Sequence, residues 1–218
     1  MAADSNLVVV MTTKFPNRKY PDAGAFVADY ARSVAAGLTS VRSSEIDRAA
    51  DTLKRAIQDD RLIFACGNGG SAAIANHLIN DCSKGIATDT TLRARVVSLS
   101  ATIELITAIA NDIDYAEIFA HQLRNAARPG DVLITISSSG DSENIVRALA
   151  WARDNGLATI AMSGFSGGRS ATTADISLHV AAENYGVVED THQALMHILA
   201  QYVRMSEIPE ASLATLRF

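Results

Sequence analysis

The sequence predicts an α/β protein: a doubly wound, parallel, five-stranded sheet flanked by helices, with two more helices ahead of it. Three observations carry this. From residue 61 onward, short branched apolar runs alternate with segments of helical period, the signature of strand–helix–strand units with right-handed crossovers. Two of these runs end in glycine or serine clusters that open a helix, at the carboxyl ends of strands where parallel sheets bind ligands. The composition is 48% hydrophobic but only 6% aromatic, which suits Ala-rich helices on a sheet of branched residues. A chain of 218 residues fits one domain with a sizeable core.

Residues 1–22, with Pro16, Pro21 and mixed charge, read as an N-terminal tail. The run Leu7 to Met11 is too short for a signal-peptide core and lacks a basic lead-in. The domain proper is expected over 23–205. Its first helix follows from Ala23, Phe26, Val27, Tyr30, Ala31, Val34 and Leu38, which recur at helical spacing. A second helix starts near Ser43 or Ser44, where Ser44 and Asp47 have the spacing of a capping box, and continues through Ile46, Ala49, Leu53 and Ile57. Helices that precede every strand either cover the sheet or build an oligomer interface.

The five strands are expected at 62–66, 94–99, 131–136, 157–162 and 175–180. Between them lie helices over 70–83, 102–110, 115–127 and 142–155, and a long one follows over 188–205. Residues 206–218, with Pro209, read as a loose C-terminal tail.

A formal charge of −5 argues against a nucleic-acid partner, which requires a basic face, but leaves room for a small anion held by local donors. Cys66 and Cys82 are too few for a disulfide framework and read as reduced, buried thiols of a cytoplasmic protein. No apolar run approaches the ~18 residues of a membrane span.

Two loops carry chemistry. Gly67-Asn68-Gly69-Gly70-Ser71 follows the first strand and leads into a helix, whose free N–H groups favour an anion; alone it reads equally as a tight turn. Ser137-Ser138-Ser139-Gly140-Asp141-Ser142 follows the third strand. One side chain suffices to cap a helix, so four serines are in excess of capping and point to a neutral phosphate cradle. Two helices also carry polar residues on apolar faces. His77 and Asp81 stand four apart; Glu189, Gln193 and His197 follow at the same interval on the last helix, with His192 between. Two histidines and two carboxylates can bind a Zn²⁺ ion or divide acid and base roles, whereas each histidine alone is more simply a packing residue.

Taken together and in order, the glycine loop, His77 with an acid at 81, Asn111-Asp112, Ser-x-Ser-Gly-x-Ser at 137–142 and His197 resemble the phosphoheptose isomerases, which are SIS-domain (sugar isomerase) proteins. The resemblance covers residues from about 24 to 205. It implies a homotetramer acting on a sugar phosphate in heptose biosynthesis, converting sedoheptulose 7-phosphate to a heptose 7-phosphate. It implies that Ser71, Ser137, Ser138, Ser139 and Ser142 bind the phosphate, that Asn68 and Asp112 contact the sugar hydroxyls, and that Gly69, Asn111 and Gln193 belong to the substrate site. It places zinc at His77, Asp81, Glu189 and His197, and a catalytic carboxylate–histidine pair at 81 and 197. This sequence departs from the family in having Asp81 for Glu and Glu189 for the usual Gln. The base of an enediol mechanism is then Asp81 or Glu189, with His197 as the acid. Relatives of the DnaA initiator-associating type imply another reading, a non-catalytic tetramer that binds a protein. The phosphate loop also admits an isomerase of a different sugar phosphate.

Overall fold

The structure, a computed structural model, describes residues 14–218. Expectations for residues 1–13, including the run from Leu7 to Met11, lie outside the described residues. The elements in order are α1 (Ala23–Ser40), α2 (Ser43–Gln58), β1 (Leu62–Gly67), α3 (Gly70–Asn80), a π turn (Asp81–Gly85), β2 (Arg95–Ser98) and α4 (Ile103–Asp112). A 3₁₀ turn (Tyr115–Glu117), α5 (Ala120–Ala126), β3 (Val132–Ser137), α6 (Glu143–Asp154), β4 (Ala158–Ser163), α7 (Gly168–Thr173), β5 (Ile176–His179), α8 (Tyr185–Met205) and α9 (Glu210–Leu213) follow.

The five strands pair in parallel in the order β2-β1-β3-β4-β5. Side chains alternate across the sheet, so each strand feeds two cores. Ile63, Ala65, Val132, Ile134, Ile136, Ile160 and Met162 pack under α2, α3 and α8. Phe64, Cys66, Leu133 and Ala161 face the other way, against Ile118, Leu123, Ile145 and Leu149. Burial on both faces is why these strands read as unbroken apolar runs. Each fully buried Ile or Leu contributes ~1.5–3 kcal/mol.

The chain leaves β1 toward β2 on one side and then returns to β3 on the other. β1 and β3 are therefore neighbours whose onward connections diverge, the switch point at which open sheets bind ligands. Gly67 pairs with Ile136, which brings the glycine loop and the serine loop side by side.

Several boundaries differ from those expected, for local reasons. Ser44 lies inside the first turn of α2, past the N-cap Arg42, so no capping box forms. Instead Glu45, 7% exposed, accepts from Arg48 and from the Ser177 N–H, which ties α2 to β5. The helix expected to reach 83 stops at Asn80, and the Ile86 N–H bonds five residues back to the Asp81 carbonyl. α7 was not foreseen, since Gly168-Arg169-Ser170-Ala171 has no helical apolar period. Beyond α8, Ile208 is buried, and Arg204 holds the Thr88 and Arg217 carbonyls and the Asp89 carboxylate.

Candidate active site

The serine loop does not serve as a helix cap. No side chain caps α6, although Ser142 occupies the N-cap position, so its hydroxyl is unspent. Ser138 is 6% exposed and its Oγ has no partner among the described residues. Ser137 Oγ accepts from the Gly140 N–H at 3.2 Å and Ser139 Oγ from the Asp141 N–H at 3.3 Å; both hydroxyl hydrogens remain to be given. The turn depends on Gly140, which has a φ of 67° and would place a Cβ 2.0 Å from the Gly167 carbonyl oxygen. Its own carbonyl accepts from Ser170, and the Ser138 carbonyl accepts from Gly164, so the segment after β4 holds the loop from behind.

Asp141 is a negative charge inside a loop read as an anion receptor. Arg169 neutralises it through a 2.7 Å contact from Nε, and this bond, reinforced by the Arg169 N–H, holds the Asp141 carboxyl below the usual carboxylate range. Arg169 also reaches Glu143, which pairs with Arg147, which pairs with Glu117.

The glycine loop meets this turn. Gly69 has a φ of 54°, and no side chain caps α3. A Cβ on Gly67 would lie 2.5 Å from the Ser71 carbonyl oxygen, so the tight entry into α3 requires glycine. Asn68, Ser71, Ser137, Ser138, Ser139, Ser142, Tyr185 and Glu189 line one cleft of about 180 Å³. Two helix N-termini, α3 and α6, thus border the same space, the arrangement that suits a phosphate dianion.

The second centre lies where α3 runs into the π turn. His77 Nε2 is 3.3 Å from Asp81 Oδ1, and His197 Nε2 is 3.3 Å from Asp81 Oδ2. The two imidazole nitrogens are 3.4 Å apart, and Gln193 Nε2 approaches His197 Nε2 at 3.1 Å. The donor atoms of His77, Asp81 and His197 all fall within 4.8 Å of one another. Each ring nitrogen carries at most one hydrogen, so it cannot satisfy all of these neighbours at once; a cation among them would. Two imidazoles and a carboxylate fit Zn²⁺ and leave a position open.

Glu189 is not in that cluster. It sits two turns up α8 from His197, with its carboxylate against Gly70, where a Cβ would lie 2.5 Å from Oε2. It forms no hydrogen bond or ion pair among the described residues, and it faces the serine cleft. Asn111 and Asp112 bond to each other at 2.7 Å on the exposed end of α4; from that segment it is Tyr115 that reaches the cleft, through Asn68. Sequence reasoning did not find Tyr115, Tyr185, Asn144 or Arg169. Only Asn144 left a signal, a poor helix former in the first turn of α6.

α3 and α8 link the two centres. Gly70 meets Glu189 at one end and His77 meets His197 at the other, two turns or ~10 Å along α3. That is the scale of an extended sugar phosphate.

Comparison with known proteins agrees with this fold. The family model described as SIS domain matches residues 28–164. The phosphoheptose isomerase of Mycobacterium tuberculosis (strain CDC 1551 / Oshkosh) is 39% identical over 142 residues, covering 65% of this chain and 71% of that one. The phosphoheptose isomerase of Coxiella burnetii (strain RSA 331 / Henzerling II) is 34% identical over 171 residues, or 76% and 84% of the two chains. The solved structure of phosphoheptose isomerase GmhA from Neisseria gonorrhoeae superposes with a TM-score of 0.76 at 30% identity, covering 84% of this chain and 97% of that one.

Proposed function

The chain belongs to the SIS-domain phosphoheptose isomerase family, and on that footing we propose that it is an aldose–ketose isomerase converting sedoheptulose 7-phosphate to D-glycero-D-manno-heptose 7-phosphate. The observation that carries this is the pairing of a neutral serine cradle with a histidine–carboxylate centre, ~10 Å apart on the same two helices. The cradle takes the phosphate and supplies binding energy away from the reacting carbons, and the second centre receives C1 and C2.

The reaction moves one proton from C1 of the ketose to C2 of the aldose through an enediol, while a hydroxyl proton passes from O1 to O2. Asp81, the carboxylate at the second centre, takes the carbon proton and returns it to the adjacent carbon. His197 manages the oxygen protons. Asp81 also bridges the two imidazoles, whereas Glu189 lies at the phosphate end. His77, Asp81 and His197 would hold Zn²⁺, which when bound polarises the carbonyl. Gln193 steadies His197. The Ser71, Ser137, Ser138, Ser139 and Ser142 hydroxyls and the Asn68 amide bind the phosphate end, with the Gly69 turn bringing the α3 N-terminus up to it.

A homotetramer fits the apolar residues left exposed on α1, α4 and α8, among them Val27, Ile103, Leu105 and Tyr202. No helix of the described residues is long and apolar enough to cross a membrane. The buried free thiols Cys66 and Cys82 support a cytoplasmic setting, and burial pushes the Cys82 thiol up to about 12.

Incubation of the purified protein with sedoheptulose 7-phosphate, following the aldose product, tests the reading. Turnover that falls on chelation and returns with zinc is expected. No turnover at high enzyme concentration, with or without zinc, would sink it and turn attention to a protein-binding role.

A further inference from the structure

Asn68 is held by two residues outside the motifs. Its side-chain amide pairs reciprocally with that of Asn144: Asn68 Nδ2 donates to Asn144 Oδ1 at 3.0 Å, and Asn144 Nδ2 donates to Asn68 Oδ1 at 2.9 Å. The Tyr115 hydroxyl donates to the same Asn68 Oδ1 at 3.0 Å. An amide oxygen offers two acceptor sites, and both are filled; an amide nitrogen carries two hydrogens, and one is spent. Asn144 is 2% exposed, so its half of the pair is shielded from competing water. We infer that Asn144 and Tyr115 are positioning residues that fix Asn68 as a donor only, so that the cleft at this point selects an acceptor oxygen of the ligand and gives no purchase to a hydroxyl hydrogen.

The consequence is chemical selectivity. The remaining Asn68 hydrogen enters a cleft shared with Ser71, the serine loop and the Glu189 carboxylate. A phosphate ester offers acceptors there in every protonation state met near neutral pH. An amide free to rotate would also present its oxygen, which repels a phosphate oxygen and accepts a hydroxyl hydrogen. The clamp is neutral throughout, so it sets direction without adding charge beside Glu189. Its three parts come from the β1–α3 loop, the first turn of α6 and the 3₁₀ turn after α4, so the donor is fixed only when all three are in place.

This inference rests on the sugar-phosphate reading above, and a double-mutant cycle tests it. KM and kcat for sedoheptulose 7-phosphate, and competitive inhibition by inorganic phosphate, are measured for Asn68→Ala, Asn144→Ala, Tyr115→Phe and their combinations. Asn144→Ala is expected to raise KM and the phosphate inhibition constant about tenfold, with kcat within a few-fold, as for loss of a hydrogen bond to a charged ligand. Tyr115→Phe is expected to raise both about threefold. Each effect should vanish in the Asn68→Ala background, because both residues act through Asn68. Effects of unchanged size in that background, or no effect of Tyr115→Phe, would overturn the inference. Should Asn144→Ala fail to fold, the cycle with Tyr115→Phe decides alone, since that side chain is 55% exposed. If the unaltered protein binds inorganic phosphate but turns over no sedoheptulose 7-phosphate, the isomerase reading falls, and the cycle is read on phosphate binding measured by calorimetry.

Discussion

Glu189 and Asp81 bear the same charge in different company. Asp81 divides its two oxygens between His77 and His197, whereas Glu189 faces the cleft with no partner among the described residues. Asp81 stands at the centre proposed for the reacting carbons, whereas Glu189 lines the cleft proposed for the phosphate, ~10 Å away along α3. Glu189→Gln, which removes a negative charge beside the phosphate site, is therefore expected to lower KM severalfold while leaving zinc content and kcat nearly unchanged. Asp81→Asn is expected to lower zinc content, measured by plasma emission spectrometry, and activity with it. Equal zinc loss in both variants would place Glu189 among the ligands instead. The two departures from the family pattern, Asp at 81 and Glu at 189, were legible as residues. Their separation was not, because i, i+4 spacing fixes the face of a helix but not which neighbour each side chain meets.

At the scale of elements, the serine loop owes its shape to the segment after β4. Gly140→Ala would drive a methyl group into the Gly167 carbonyl at a φ of 67°, so a loss of about 2 kcal/mol or more is expected, together with loss of phosphate inhibition. Chemical denaturation and inhibition by inorganic phosphate check the two parts. Arg169→Ala would leave Asp141 unneutralised at the mouth of the cradle. A severalfold rise in KM is expected, larger at low ionic strength, where screening is weakest. Strands and long helices were readable from period and burial, since packing on both sheet faces leaves a continuous apolar signal. The buttress was not, because α7 is short and has no apolar period, and its contacts with Gly140 are main-chain bonds that leave no trace in residue type. Ser142 stands at the N-cap position of α6, yet its hydroxyl makes no capping bond.

For the molecule as a whole, acid stability turns on one buried residue. His192 is fully buried on α8, and neither ring nitrogen has a hydrogen-bond partner by geometry. Burial pushes its pKa down to about 4; the nearby Ser163 main chain opposes this, and His179 adds to it. The unfolded chain protonates this ring near the ordinary histidine value and the folded one does not, so stability falls as pH falls from about 6.5 toward 4. The His192 contribution to this loss is about 2 kcal/mol between pH 7 and pH 5. Urea unfolding should show it in the unaltered protein, and His192→Leu should remove that part of the slope; an unchanged slope would rule it out. His192 was visible in the sequence only as one more histidine on the helix of the site, and its depth came from which face of α8 the sheet covers. That same packing sets α3 and α8 side by side at a fixed offset, so the two binding ends cannot slide to suit their guest. On the proposed assignment the pair would gauge chain length: with its phosphate seated, a sugar one carbon shorter would stop about an ångström from the chemistry, a shortfall worth roughly a hundredfold in rate.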